Sequence, residues 1–417
     1  MEILLEECCP TRSENRVKIA IITTDNRENF RNYDLKEPYF GTAPTALMEG
    51  FAMLSKDLEV HVISCTQQAM PSPEKLAHNI RFHSLHVPNW GWLRSGYLGC
   101  VLAVGRKFRE IKPDLIHAQG TERDCAISAV LAPYPRLLTI HGNLRLIKKQ
   151  VGFRPFSAMW LQSFLEGFVV PRFHGVVCIT NYTKAAVEHE VSRNWVIPNA
   201  VDSSFFEIGR KRVLQRSDSS ASRLSTFDGL PPPPIILVVG TIEERKNQNF
   251  LIKALDSLAE NYPFEVRFFG KCGEDPYGAV FRALVAERKW CHFGGMLGRE
   301  ELKEEFVQAS MLVLPTHEDN CPMVVLEAQA SGVPVIASNV GGIPDLIEGG
   351  VTGLLIDPHD VDSIRRAVAL LLTDATVGSS LADQGLEHAL SSYHPEVIAR
   401  KHLEIYNQIL SGKQGSR

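Results

Sequence analysis

Short apolar, β-branched runs alternate with helical patterns along this chain, and the alternation starts twice. From Val17 the extended runs are residues 18–23, 60–64, 115–118, 137–140, 176–179 and 196–198, with helical stretches such as 45–56 and 183–190 between them. The same grammar begins again at Ile235, with runs at 235–239, 266–269, 311–314, 333–337 and 353–356 and helical patterns at 249–260, 277–288, 300–309 and 361–372. Runs that are apolar on both faces need cover on both faces, and a helix after each run supplies it, so the pattern predicts parallel sheets in an α/β architecture. Single cores rarely grow past about 250–300 residues, and this chain has 417. Two doubly wound, Rossmann-like domains facing across a cleft are therefore expected, with ligands at the carboxyl ends of their strands. The expected division is an extension over 1–16, a first domain over 17–206, a linker over 207–234, a second domain over 235–394, and a helical segment over 395–417 able to pack back on the first domain. The linker is rich in Ser, Arg and Lys, lacks an apolar period and ends in four prolines.

One segment inside this frame carries most of the chemistry. Residues 319–342 read DNCPMVVLEAQASGVPVIASNVGG. Asp319 stands eight positions before Glu327, across a turn (Asn320, Cys321, Pro322) and the start of a helix over 323–330. Glu327 then lies one turn inside the helix. Both acids and the free N–H groups of the helix start can face one polyhydroxylated ligand. A solvated helix face would suit an isolated glutamate, but the segment is apolar on both sides, which predicts a buried or cleft-facing Glu327. Asp360 and Asp362 form D-x-D before a helical run, where helix capping is the expected role rather than metal binding.

Composition narrows the classes. The net charge of −4 gives no reason to expect a nucleic-acid partner. The nine cysteines show no C-x-x-C spacing, which fits reduced thiols in a cytosol. The first sixteen residues carry acids without an apolar signal core, and no run approaches the ~18 apolar residues of a membrane span. A cytoplasmic protein is expected, with at most peripheral membrane contact.

Taken in order, the motifs resemble those of the retaining glycosyltransferases of family 4, which have the GT-B fold. Residues 319–342 are similar to that family's E-x7-E segment and glycine turn. VIPNAVDSSFF (196–206) is similar to its interdomain signature, and VVGTIEERKNQNFLIKAL (238–255) to its G-R-x-x-x-x-K segment. LLTIHGN (137–143) places His141 where the family has an active-site histidine. Three positions depart. The first acid is Asp319, with Glu318 just before it; Thr241 stands where the family has arginine; and the N-terminal Gly-Gly loop is Gly41-Thr42.

The resemblance implies transfer of a sugar from a nucleotide-diphosphate donor to a carbohydrate or lipid-linked acceptor, in polysaccharide or glycolipid assembly, without cofactor or metal. Lys246, with Arg245 as a compensating cation, and backbone near Gly41 and Thr42 would stabilise the departing diphosphate. Asp319, or Glu318 in its place, and the backbone around Asn320, Cys321, Pro322, Met323 and Val324 would hold the sugar. Glu327 would bind the ribose. Thr241 would lie near the donor, and Met296 beside the base. His141 would sit near the donor sugar, its carbonyl or ring holding positive charge. Glu122 and Asn143 are the acceptor-side candidates. Residues 89–97 and 145–172 mix aromatic and basic side chains, which suits stacking on sugars or a membrane surface, and equally an ordinary helix packed on the sheet. Two other classes remain open: an epimerase on the same fold, which would turn over donor without acceptor, and a non-catalytic sugar-nucleotide-binding subunit.

Overall fold

A computed structural model describes residues 16–88, 92–142, 157–217 and 232–412. The chain builds two α/β units. The first holds β1 (Val17–Ile22), β2 (Leu58–Thr66), β3 (Lys75–Ala77), β4 (Ile80–His86), β5 (Leu115–Gln119), β6 (Arg136–Ile140), β7 (Gly175–Cys178) and β8 (Asn194–Val196), in the order β3-β4-β2-β1-β5-β6-β7-β8. The second holds β9 (Ile235–Val239), β10 (Glu265–Phe269), β11 (Cys291–Gly295), β12 (Met311–Leu314), β13 (Val335–Ser338) and β14 (Leu354–Ile356), in the order β11-β10-β9-β12-β13-β14. Every ladder is parallel except β3 with β4. In both sheets the strand order reverses beside the first strand, between β1 and β5 and between β9 and β12. Loops leaving those strands therefore diverge and open a crevice.

Alternation along β1 shows how the layers are filled. Ile19 and Ile21 join one buried cluster, and Ala20 and Ile22 join the cluster on the opposite face. The second sheet is likewise buried on both faces. Three strands escape the apolar-run pattern. β3 has three residues, β4 (IRFHSLH) is partly solvated, and β11 ends in two glycines. Each lies at or beside a sheet edge, where one face needs no apolar cover.

Helices α1 (Thr42–Met53), α2 (Leu98–Ile111), α3 (Cys125–Val130), α4 (Ala158–Val169) and α5 (Asn181–Val187) belong to the first unit. Residues 207–217 of the expected linker are not a linker: α6 spans Ser203–Ser217. Its lack of an apolar period has a physical cause. Gly209 allows close approach, since a Cβ there would lie 2.4 Å from the Ala330 carbonyl oxygen. Arg212 donates to the carbonyls of Phe306, Val307, Ala309 and Gly332 in the second unit. The remainder of the second unit contains α7 (Gln248–Ala259), α8 (Pro276–Ala286), α9 (Arg299–Gln308), α10 (Met323–Ala330), α11 (Val361–Thr373) and α12 (Ala375–Ser392). Asp360 caps α11, accepting from the Asp362 N–H at 2.9 Å.

The last helix, α13 (Pro395–Ser411), crosses to the first unit. Ile398, Ala399, Ile405, Tyr406 and Ile409 complete the cluster that contains Ile19 and Ile21. Tyr406 Oη is 2.7 Å from the buried His117 Nδ1. A Cβ on Gly50 of α1 would fall 2.1 Å from the Pro395 carbonyl oxygen, so glycine sets the spacing of α1 and α13.

Candidate active site

The second switch point brings two of the candidate residues together. Lys246 lies in a 3-10 turn (Glu244–Lys246) soon after β9, and Asp319 lies in the loop after β12. Lys246 Nζ donates to Asp319 Oδ2, with both side chains about five-sixths buried. Asp319 Oδ1 accepts the Asn320 N–H at 2.9 Å. Glu318 points elsewhere: its carboxylate accepts from the Tyr182 hydroxyl at 3.0 Å, and its carbonyl accepts from Arg245 Nη1 at 2.9 Å. Arg245 also pairs with Glu243 at 2.7 Å. Thr241 is exposed, and its carbonyl accepts from Gln248 Nε2 at 2.9 Å.

The glycine turn explains the shape of this loop. Gly341 has φ +58°, and a Cβ there would lie 2.1 Å from the Asp319 carbonyl oxygen. A Cβ on Gly342 would lie 2.1 Å from the Asn320 carbonyl oxygen, and the Gly342 N–H donates to Asp319 O at 2.9 Å. Backbone of the two loops thus touches backbone, which only glycine permits.

Helix α10 begins at Met323, just after Pro322, which lacks a donor of its own. Val324 to Ala330 are all buried, as expected of a helix apolar on every side. Glu327 is 3% exposed. Its Oε1 is 3.4 Å from Arg299 Nη1, and Arg299 Nε is 3.1 Å from Asp202 Oδ2. Burial pushes the Glu327 carboxyl up, against the pull of Arg299. Burial likewise drives the neighbouring Cys321 thiol up to about 12, so it stays protonated.

On the first unit, His141 directly follows β6. Its Nε2 is 2.8 Å from Gln119 Oε1, and burial pushes its pKa down to about 4 against a hydrogen bond with Asn199. Its carbonyl accepts from Asn320 Nδ2 at 3.2 Å, which ties the two units at the site. Asn320 Oδ1 accepts from the Thr180 hydroxyl at 2.5 Å and the Thr183 hydroxyl at 2.8 Å. Asp345 accepts from the Asn181 N–H at 2.6 Å and from Asn181 Nδ2 at 3.0 Å. Four successive residues, Thr180 to Thr183, therefore hold the loops around Asp319. Asn320 was expected on the donor side; here its side chain is spent on the interdomain contact. Neither these contacts nor Arg299 has a sequence signature, because polar loop residues carry no period.

Gly41, after β1, has φ +88° and precedes α1, whose first residue is Thr42. Glu122 follows β5, and its Oε1 lies 3.6 Å from the position of a Cβ on Gly142. Burial holds its carboxyl above the usual range, opposed by its own backbone N–H, with Glu166 adding to the rise. Met296 is 66% exposed at the end of β11, so it is not a core methionine. Asn143, Trp90 and the basic and aromatic residues of 145–156 lie outside the described residues. Among the described residues, one group has metal-ligand spacing: the buried Cys65, Cys100 and Asp124, in the first unit.

Comparison with known proteins gives the same two units. Residues 45–205 match the model for "Glycosyltransferase Family 4", and residues 228–388 match that for "Glycosyl transferases group 1". The sulfoquinovosyl transferase SQD2 of Arabidopsis thaliana is 32% identical over 63% of this chain and 50% of its own length. A D-inositol 3-phosphate glycosyltransferase of Corynebacterium glutamicum is 28% identical over 50% of this chain and 53% of its own. The chain thus spans about half the length of the curated relatives it matches. In structure it is similar to a sucrose-phosphate synthase from Thermosynechococcus elongatus (TM-score 0.72, 20% identity, 95% of this chain and 100% of that one). It is also similar to HepE of Anabaena solved with UDP and glucose (TM-score 0.67, 17% identity, 94% and 100%). The chain belongs to the family 4, group 1 glycosyltransferases and has the GT-B architecture.

Proposed function

We propose that this glycosyltransferase moves a sugar from a nucleotide-diphosphate donor to an acceptor hydroxyl, with retention of configuration and without a metal. The observation that carries the proposal is the Lys246–Asp319 pair at the second switch point, held beside His141 by Asn320. Lys246 is the cation for the diphosphate and Asp319 the acid for the sugar hydroxyls. Glu327, one turn inside α10, is the acid for the ribose, with Arg299 setting its direction. In the reaction the bond between the anomeric carbon and the diphosphate oxygen breaks, the acceptor oxygen bonds that carbon, and the acceptor proton passes to the departing diphosphate. Negative charge grows on the leaving group, where Lys246 and helix amides stabilise it. Positive charge grows on the sugar ring. His141, with its pKa near 4, is neutral at neutral pH and does not oppose that charge.

The proposed setting is glycolipid or polysaccharide assembly at the cytoplasmic side of a membrane; the sulfoquinovosyl transferase and phosphatidylinositol monomannoside mannosyltransferase among the relatives, and α4, support the glycolipid part of it. Met159, Phe164 and Phe168 are exposed there, and the Arg172 guanidinium lies 3.8 Å from the Phe168 ring centre. Apolar rings beside a cation suit a lipid headgroup region. Among the described residues no helix is long and apolar enough to cross a membrane.

The first test is a thermal-shift screen against UDP-, GDP-, ADP- and dTDP-sugars, with and without EDTA. One metal-independent shift is expected, because a ligand that binds only the folded state stabilises it. Binding without turnover in the presence of acceptors would favour the non-catalytic subunit, and donor conversion without acceptor would favour an epimerase.

A further inference from the structure

We propose that Cys65, Cys100 and Asp124 form a structural metal site that takes a thiophilic divalent cation of the zinc class and ties three elements of the first unit together. The proposal is independent of the glycosyl-transfer reading above. Cys65 is the last residue but one of β2, Cys100 lies in the first turn of α2, and Asp124 directly precedes α3. The two Sγ atoms and one carboxylate oxygen all lie within 4.8 Å of one another. The three residues are 3%, 0% and 3% exposed.

Both cysteines belong to the apolar cluster that joins α2 and α3 to one face of the first sheet. A carboxylate beside that cluster is costly unless something offsets it, since buried charges in proteins are paired or bind metal. Among the described residues Asp124 makes no ion pair. The adjoining Arg123 instead directs its Nη2 to the Cys65 carbonyl at 3.2 Å and to Glu28 Oε2 at 3.5 Å. Asp124 Oδ2 is buried without a hydrogen-bond partner, and so is the hydroxyl of Ser128, four residues on in α3. Asp124 also stands where a side chain could cap α3, yet it caps no N–H there. The fold therefore sets this carboxylate against two thiols, and the helix start makes no use of it.

The donor set selects the cation. Thiolate sulfur suits zinc and disfavours magnesium and calcium, which take oxygen ligands. Donors of a tetrahedral zinc, at ~2.3 Å for sulfur and ~2.0–2.2 Å for oxygen, stand roughly 3.8 Å apart, so closing this site asks for movements of about 1 Å. Binding forms two metal–sulfur bonds and one metal–oxygen bond, and the two thiol protons leave to solvent. Water completes the coordination. Every protein ligand is closed off from solvent, which marks a structural site and not a catalytic one. The transfer step therefore stays free of metal, and brief exposure to EDTA does not reach the cation. Its work is to hold α2 and α3 against β2, and with them Glu122 and Arg123, which directly precede Asp124.

The test uses the full chain, produced with zinc in the medium and separately with cobalt, and passed briefly through EDTA to remove loosely held ions. Elemental analysis should find about one equivalent of zinc per chain. The cobalt form should show sulfur-to-cobalt charge-transfer bands together with the visible bands of a tetrahedral ion, a signature that surface-bound cobalt lacks. Asp124→Asn should weaken metal retention against a chelator by about tenfold or more, no less than the loss of an outer-shell partner. Cys100→Ala should lose both the metal and the sulfur bands, and Cys178→Ala, at another buried thiol of the same cluster, should keep them. The wild-type spectrum needs no variant, so it decides the matter even if Cys100→Ala fails to fold. A chain that retains no metal, cobalt bound without sulfur bands, a disulfide between Cys65 and Cys100, or retention indifferent to Asp124→Asn and Cys100→Ala would each overturn the proposal.

Discussion

Replacing Gly341 by alanine isolates what the glycine turn does for the site. Gly341 and Gly350 both adopt left-handed backbone, at φ +58° and +80°. An L-residue in that region costs about 1–2 kcal/mol, so the backbone conformation alone lowers the stability of Gly341→Ala and Gly350→Ala by a similar amount. The space around them differs. A Cβ at Gly350 meets nothing within 4 Å, whereas one at Gly341 falls 2.1 Å from the Asp319 carbonyl oxygen, where real Cβ contacts stay beyond 3.0 Å. The Asp319 backbone must retreat by about 1 Å, and misplacement on that scale costs on the order of 10²-fold in rate. The same movement loosens the Gly342 N–H bond to Asp319 O. Steady-state kinetics with the selected donor, alongside thermal melts, separate the two effects. Expected are a fall in Tm in both variants, the larger in Gly341→Ala, and an approximately 100-fold loss of kcat/KM in Gly341→Ala alone. Equal kinetic losses in both variants, or full activity in a folded Gly341→Ala, would refute the claim that this contact places Asp319.

Glu327→Ala should reduce kcat/KM for the donor by about 10²-fold, at ~1.4 kcal/mol per tenfold; unchanged donor KM and kcat in a folded variant would remove Glu327 from the site. Lys246→Ala should lower kcat, because the diphosphate charge grows towards the transition state, and a rise in KM alone would make Lys246 a binding residue only. EDTA should leave the initial rate unchanged; a loss restored by Mn²⁺ or Mg²⁺ would contradict the metal-free step. The pH profile follows from His141. Its pKa lies below its usual value at about 4, so the neutral ring persists down to that range and activity should show no His141-dependent inflection between pH 6 and 7. An inflection there that vanishes in His141→Gln would show that the ring titrates normally.

The central strands were legible because burial on both faces leaves a continuous apolar run, as in ILVV of β9 and MLVL of β12. Strands at or beside the sheet edges were not, because β4 carries Arg81 and His83 among its apolar residues and β11 carries two glycines. The burial of Glu327 was legible for a related reason: a helix without a polar stripe has no face to show to water. That Lys246 meets Asp319 could not be read directly across 73 residues of separation. Topology supplies what spacing does not, since both follow strands that flank the same switch point.

The contacts between the units were the least legible part, and they bear on how the site works. Thr180, Asn181, Tyr182 and Thr183 bond to Asn320, Asp345 and Glu318, within the loops that carry Asp319. Nothing in NYTK marks such a role, because a hydrogen bond needs only one polar group at the right place, and placement comes from the fold. Asn320 directly follows Asp319, the acid proposed to bind the sugar, and its amide bonds the His141 carbonyl. Any motion that opens the cleft must therefore break bonds at residues adjoining Asp319 and His141 together. On the proposed roles, donor binding and domain closure share the same atoms, and a donor that binds better where Asp319 is held in place favours the closed arrangement by its difference in affinity for the two arrangements.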